Sequence, residues 1–343
     1  MEFGAVQANA PTMQLPETIE LHELRLTKGI EEANYPNDYE RMTNIAYDTE
    51  VPKMSEYVLF TDSCCDLTTE MADKLGLTVL PLCVDIDGDI YYNYLDEREI
   101  SFKSFYEKLR TKCPTKTSAV NVGQFEEAME PILASGKDVL YIAFSSGLSG
   151  TYNAALIAIE ELSAKYPERK IYAVDTLAAS AGQGMLCYYA WLEKEKGKTI
   201  EEVRDYLEEN KLKMCHWFTI DDLMFLKRGG RVSAATAVLG SMLSIKPVLH
   251  VDDEGHLISM SKARGRKASI RALADEAERL GVDLKDQEIF ISHGDCLEDA
   301  EYLAELMRTR FGVKEVYISY VGPVIGSHSG PGTLALFFWG TSR

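Results

Sequence analysis

From Tyr57 onward, short apolar runs alternate with longer stretches in which apolar residues recur every three or four positions. YVLFTDS (57–63) reads as a strand, and LTTEMADKLG (67–76) as a helix closed by Gly76. LTVLPLCVDIDG (77–88) reads as a strand ending in a turn, and SFKSFYEKLRT (101–111) as a helix capped by Ser101. A helix over VGQFEEAMEPILASG (122–136) is followed by VLYIAFS (139–145), a nearly continuous apolar strand. TYNAALIAIEELSAKYP (151–167) is helical, KIYAVDT (170–176) a strand, and 179–197 and 199–214 are helices. Apolar strands alternating with helices predict a parallel sheet covered on both faces. Ligands in such sheets sit beyond the carboxyl ends of the strands. TDS, FSSGLSGT and VDTLAAS all fall there.

A second pattern begins near His216. In IKPVLHVDDEGHLISMSKARGR (245–266), a turn at Asp253–Gly255 joins two alternating strands, which predicts a hairpin. A helix (268–281), a strand (288–295), a helix (297–312), a strand (315–322) and a Gly/Pro-rich tail follow. The expected fold class is α/β with two domains. Residues 54–215 would hold the parallel sheet with helices on both faces. Residues 216–343 would form the second α/β domain, a mixed sheet with helices and the hairpin. Residues 1–53 differ in character, with ten Asp/Glu against four Lys/Arg, four prolines and weak periodicity. They are expected to be an extension, disordered or a non-native start, with Met54 opening the globular body.

Composition narrows the class. Of 343 residues, 46% are hydrophobic and 26% charged, as in a globular protein. No apolar run reaches the roughly 20 residues of a membrane span, and no signal-peptide pattern is present. Seven cysteines without a C-x-x-C pair fit free thiols and a cytoplasmic location. No His/Cys cluster has metal-ligand spacing. The net charge of −18 argues against a nucleic-acid partner. One basic patch, KARGRK (262–267), stands out against that background.

Ser149 lies in GLSGT, which lacks the G-x-S-x-G spacing of a nucleophile elbow. GQGMLC (182–187) lacks the third glycine of a dinucleotide fingerprint, and close packing of a helix on a sheet accounts for Gly182 and Gly184. An anion site fits better. Ser149, Gly150 and Thr151 open a helix, where unpaired N–H groups and the dipole favour negative charge. Simple capping by Ser149 is the competing account. Two more donor-rich stretches exist: a loop with Thr117 and Ser118 ahead of a helix, and GSHSGPG (326–332), with His328 and Ser329, too rich in Gly and Pro to be regular. Three such stretches suggest a site for one carboxylate or phosphate.

TDSCCDL (61–67), KTSAVNVGQF (116–125), SSGLSGTYNAA (145–155), VDTLAASAGQG (174–184), DDLMFLKRGGRVS (221–233), IKPVLHVDDEG (245–255), KARGRK and GSHSGPGTL (326–334) together resemble the DegV family, including the bacterial FakB fatty-acid-binding proteins. The resemblance runs from Met54 to the end of the chain. It implies a carrier without catalysis of its own and without cofactor, which buries one long-chain fatty acid with its carboxylate near the domain junction. The loaded carrier would be presented to a separate ATP-dependent fatty acid kinase subunit, making acyl-phosphate for phospholipid synthesis, and transient membrane contact is compatible with that role. Carried over by motif, Thr117, Ser118, Ser149, Gly150, His328 and Ser329 would hold the carboxylate. Arg231, Lys262, Arg264 and Arg266 would meet the kinase or the new phosphate. Ala119 and Val120 stand where the family usually has Gln and Pro, and Cys64 where a small hydroxyl residue is common. The alternatives are a serine-dependent acyl or phosphoryl hydrolase using Ser149, and a regulator binding another small anion.

Overall fold

The computed structural model describes residues 56–232 and 245–343. The 1–53 extension and the Met54 start lie outside the described residues.

The first sheet is parallel, in the order β2 (Thr78–Leu80), β1 (Tyr57–Asp62), β6 (Asp138–Ala143), β7 (Ile171–Asp175). Its strands are apolar on both sides because both faces are covered. Phe60, Val139 and Tyr141 pack with Phe125 and Met129 of helix α3 (Val122–Ala134) and Ala155 and Ala158 of α4 (Thr151–Lys165). Their neighbours Leu59, Leu140 and Ile142 point the other way, toward α5 (Ala181–Glu195) and α6 (Ile200–Asn210). Capping boxes at Asn121/Gln124 and Thr199/Glu202 start α3 and α6.

The second sheet is mixed, in the order β10 (Leu257–Arg264), β9 (Ile245–Val251), β8 (Met214–Thr219), β13 (Leu334–Trp339), β11 (Glu288–His293), β12 (Glu315–Tyr320). Only β11 and β12 run parallel; the other neighbours are antiparallel. One face carries α8 (Arg266–Leu280) and α9 (Leu297–Phe311), with Trp217, Ile291, Leu336 and Phe338 beneath them. The other face presents Phe218, Leu249, Phe290, Ala335 and Phe337 to α5. Helix α5 is therefore a layer shared by both sheets. Its N-terminal half is buried almost all round, from Ala181 to Tyr188. Gly182 and Gly184 make that possible. A Cβ on Gly182 would lie 2.4 Å from His216 Nε2, and one on Gly184 would lie 2.6 Å from the Cys65 carbonyl. Close packing, not a dinucleotide turn, explains this pair.

A third, antiparallel sheet was not foreseen: β4 (Asp89–Tyr92), β3 (Cys83–Ile86), β5 (Thr115–Ser118). It packs on α2 (Phe102–Arg110) through Val84, Ile86, Phe105 and Tyr106. The run at 77–88 is thus two strands divided at Pro81–Leu82, and Thr117 sits on a strand rather than in a loop. Two further expectations change. Met214 ends no helix but opens β8, and the stretch around His328 is regular, forming the short helix α10 (Pro323–Ser329). Another short helix, α7 (Met224–Arg228), leads into Gly229–Arg231.

Candidate carboxylate site and cavity

A cavity of about 990 Å³, counting its open mouth, lies where the three sheets meet. Thr117, Ser118, Ser149, Gly150, His328 and Ser329 all line it, together with Arg231. Much of the remaining wall is hydrocarbon, including Leu82, Phe144, Phe218, Leu226, Val251 and Phe337.

Each polar group arrives from a different element. Thr117 is carried by β5, paired opposite Val84 of β3. Its hydroxyl lies 2.8 Å from His328 Nε2 of α10. Burial and the nearby Arg231 guanidinium hold the His328 pKa down at about 4, so the ring is neutral near pH 7. Gly229 makes room for it: a Cβ there would stand 2.3 Å from His328 Nδ1. Gly230 follows with φ +69°, a conformation that suits glycine. The K-R-G-G-R run thus seats an imidazole as well as an arginine. Arg231 Nε then donates to the Leu148 carbonyl at 3.3 Å, tying that run to the Ser149 loop.

Ser149 precedes α4. Its hydroxyl accepts from the Thr151 N–H at 3.3 Å and lies 2.9 Å from the Thr151 hydroxyl. The N-cap of α4 is Gly150, so the capping account of Ser149 does not hold; its local bonds to Thr151 leave the side chain facing the cavity. No imidazole is hydrogen-bonded to Ser149 among the described residues. The same loop is pinned to the second sheet: Ser145 Oγ donates to the Gly255 carbonyl at 2.9 Å, in the turn between β9 and β10.

A second cleft, about 1050 Å³ with its mouth, adjoins the first, and Thr117, Arg231 and His328 line both. It adds Lys112, Lys116 and Arg228, and among the described residues no carboxylate lines it. In a chain of net charge −18, that is a local reversal of sign. Lys116 opens the KTSAVNVGQF motif, whereas nothing in the sequence singled out Lys112.

The KARGRK residues lie elsewhere. Lys262, Arg264 and Arg266 line neither cavity. Lys262 and Arg264 are exposed along β10. Arg266 is drawn inward: its Nε donates to Asp299 at 2.7 Å, and Asp221 stands 3.8 Å away. It is a paired cation, whereas Arg231 has no ion pair among the described residues.

Other lining groups went unforeseen. Cys64 faces the cavity as a thiol that burial pushes well above its ordinary pKa. His216, Ser180 and Ser292 also reach it, from β8, the start of α5 and β11. His216 is a lone polar residue in an apolar run, whereas Ser180 closes the VDTLAAS stretch that the strand pattern places at the ligand end of the sheet. No helix among the described residues is long and apolar enough to cross a membrane.

The chain matches the model of the DegV family of uncharacterised proteins over residues 56–340. It is 50% identical over 290 residues to a DegV domain-containing protein of Clostridium perfringens, covering 84% of this chain and 99% of that one. Among solved structures, it is similar to a Thermus thermophilus DegV family protein described for fatty acid binding. That likeness has a TM-score of 0.74 at 30% identity, over 83% of this chain and 99% of the other. A Streptococcus pneumoniae fatty acid kinase B3 protein loaded with linoleic acid shares the fold, with a TM-score of 0.73 at 20% identity over 83% and 99% of the two chains.

Proposed function

The chain belongs to the DegV family, and from that premise we propose that it binds one long-chain fatty acid and presents it to a separate ATP-dependent kinase. The observation that carries this reading is a largely apolar cavity whose Thr117–His328 pair also borders a basic cleft. Burying a chain of about 16 carbons at roughly 0.8 kcal/mol per methylene yields on the order of 10 kcal/mol gross. Association costs remove several of those. The carboxylate then needs donors, because a buried anion without them is expensive. The Ser149 hydroxyl and the Thr117 hydroxyl, backed by the neutral His328 ring, supply them.

Neutral donors leave the carboxylate oxygens nucleophilic. In the proposed transfer, one carboxylate oxygen forms a bond to the γ-phosphorus of ATP held by the kinase. The bond from that phosphorus to the β–γ bridging oxygen breaks, and ADP leaves. Lys112, Lys116, Arg228 and Arg231 lie on the side where charge would build up during that step. Arg231 fits the phosphate-contacting role; Lys262 and Arg264, away from both cavities, fit an outer docking edge.

Native mass spectrometry of protein purified from cells, followed by lipid extraction, tests the binding reading. One fatty acid per chain is expected. A lipid-free protein that also fails to take up added fatty acid would sink it, and phosphate or nucleotide in its place would favour a small-anion regulator.

A further inference from the structure

Hydrocarbon requires only hydrocarbon around it, yet the cavity wall keeps polar groups that do not belong to the Thr117–His328 cluster. His216 is 2% exposed and lines the cavity. Neither of its ring nitrogens has a hydrogen-bond partner among the described residues, although the Met214 carbonyl is close enough to raise its pKa weakly. Burial, first of all, holds the ring neutral, so it has one donor and one acceptor nitrogen. The fold makes space for this ring at some cost in sequence freedom, since Gly182 admits no Cβ beside it.

On the same face of the second sheet lies a further polar group. Ser292 pairs with Ala335, Ala335 with Phe218, and His216 is two residues from Phe218 along β8. The Ser292 hydroxyl is 2.8 Å from Ser180 Oγ, which is 2.5 Å from Asp66 Oδ2. The Gly322 N–H donates to the other Asp66 oxygen at 3.0 Å. Burial pushes the Asp66 carboxyl up to about 8, so near pH 7 it keeps its proton. Asp66 then donates to Ser180, Ser180 to Ser292, and the Ser292 O–H is left to donate into the cavity. A buried polar group without a partner is costly, and the natural remedy is an oxygen on the ligand.

We propose that the cavity selects an acyl chain bearing a second oxygen function, a hydroxyl or keto group partway along the tail, recognised by His216 and the Ser180–Ser292 pair. This rests on the fatty-acid reading above and specifies its ligand class. The test is displacement of a fluorescent fatty acid from delipidated full-length protein. The competitors are stearic acid and 18-carbon acids hydroxylated at successive positions. At least one positional isomer is expected to bind about tenfold more tightly than stearic acid. Its advantage should fall to about onefold in Ser292→Ala or His216→Phe. If every isomer binds no better than stearic acid, or the favoured isomer keeps its advantage in both variants, the proposal is overturned. The wild-type series decides even where a variant fails to fold. Failure of stearic acid itself to bind would instead strike the fatty-acid reading, and this proposal with it.

Discussion

Asp66→Asn offers the most direct check on the buried network beneath the cavity. The folded carboxyl has its pKa raised from 3.8 to about 8, chiefly by burial, against the lowering influence of Ser180 and Gly322. Between those values the unfolded chain has lost this proton and the folded chain has kept it. Its contribution to stability is therefore complete below about pH 4, declines as pH rises, and is gone above pH 8. The slope is about 1.4 kcal/mol per pH unit. Asparagine preserves the pattern: Oδ1 accepts from Gly322 and Nδ2 donates to Ser180. It does not titrate. From pH 5 to pH 7 the stability of Asp66→Asn relative to wild type should accordingly rise by about 3 kcal/mol. Urea unfolding at pH 5, 6 and 7, followed by the fluorescence of Trp191, Trp217 and Trp339, measures that gap. The other titrating groups are common to both proteins and cancel in the difference. A gap that stays constant to within about 0.5 kcal/mol would refute the raised carboxyl and the hydroxyl wire built on it.

Gly229→Ala should displace the His328 ring, because the new Cβ would meet Nδ1 at 2.3 Å; fatty-acid affinity measured by displacement should fall at least about tenfold, and a loss under about twofold counts against the His328 role. Arg343→Ala removes donors to the carbonyls of Leu177, Lys211, Met214 and Asp252 at 2.7–3.2 Å. Partly buried carbonyls left unpaired should cost about 2 kcal/mol by denaturant titration, and no change in midpoint would show that they are solvated instead. Replacing Lys112, Lys116 and Arg228 together by Ala should raise the KM of a partner kinase for the loaded carrier several-fold and flatten its salt dependence. An unchanged KM and salt profile would remove the basic cleft from the encounter.

The strand–helix alternation was legible because each buried strand of the first sheet is apolar on both faces and each helix repeats every three or four residues. Where the periodicity is silent, tertiary pairing decides. Thr115–Ser118 has no apolar residue to advertise a strand and becomes one only against Cys83–Ile86. Met214–Thr219 follows a helix without a break, so its apolar run reads as more of the same until it is placed beside Leu334–Trp339. The donor-rich stretches around Thr117, Ser149 and His328 stood out because small hydroxyls and glycines cluster there. His216 did not, since it sits alone in an apolar run, and it joins Ser180 and Ser292 at one cavity only after two sheets close on α5. Arg266 shows the opposite limit: its motif marks a cation, but only the fold reveals that Asp299 neutralises it.

Thr117, Ser149 and His328 reach the cavity from a strand of the small sheet, from a loop of the parallel sheet and from a helix near the mixed sheet. No single sheet of this chain contains the receptor. Occupancy and tertiary assembly are then one linked equilibrium. A ligand present at about a hundred times its dissociation constant adds roughly 2.7 kcal/mol to the stability of the whole. Scarcity of ligand would be felt first as a loosening of the joint among the three sheets, and the supply of ligand would set how long an idle copy survives proteolysis.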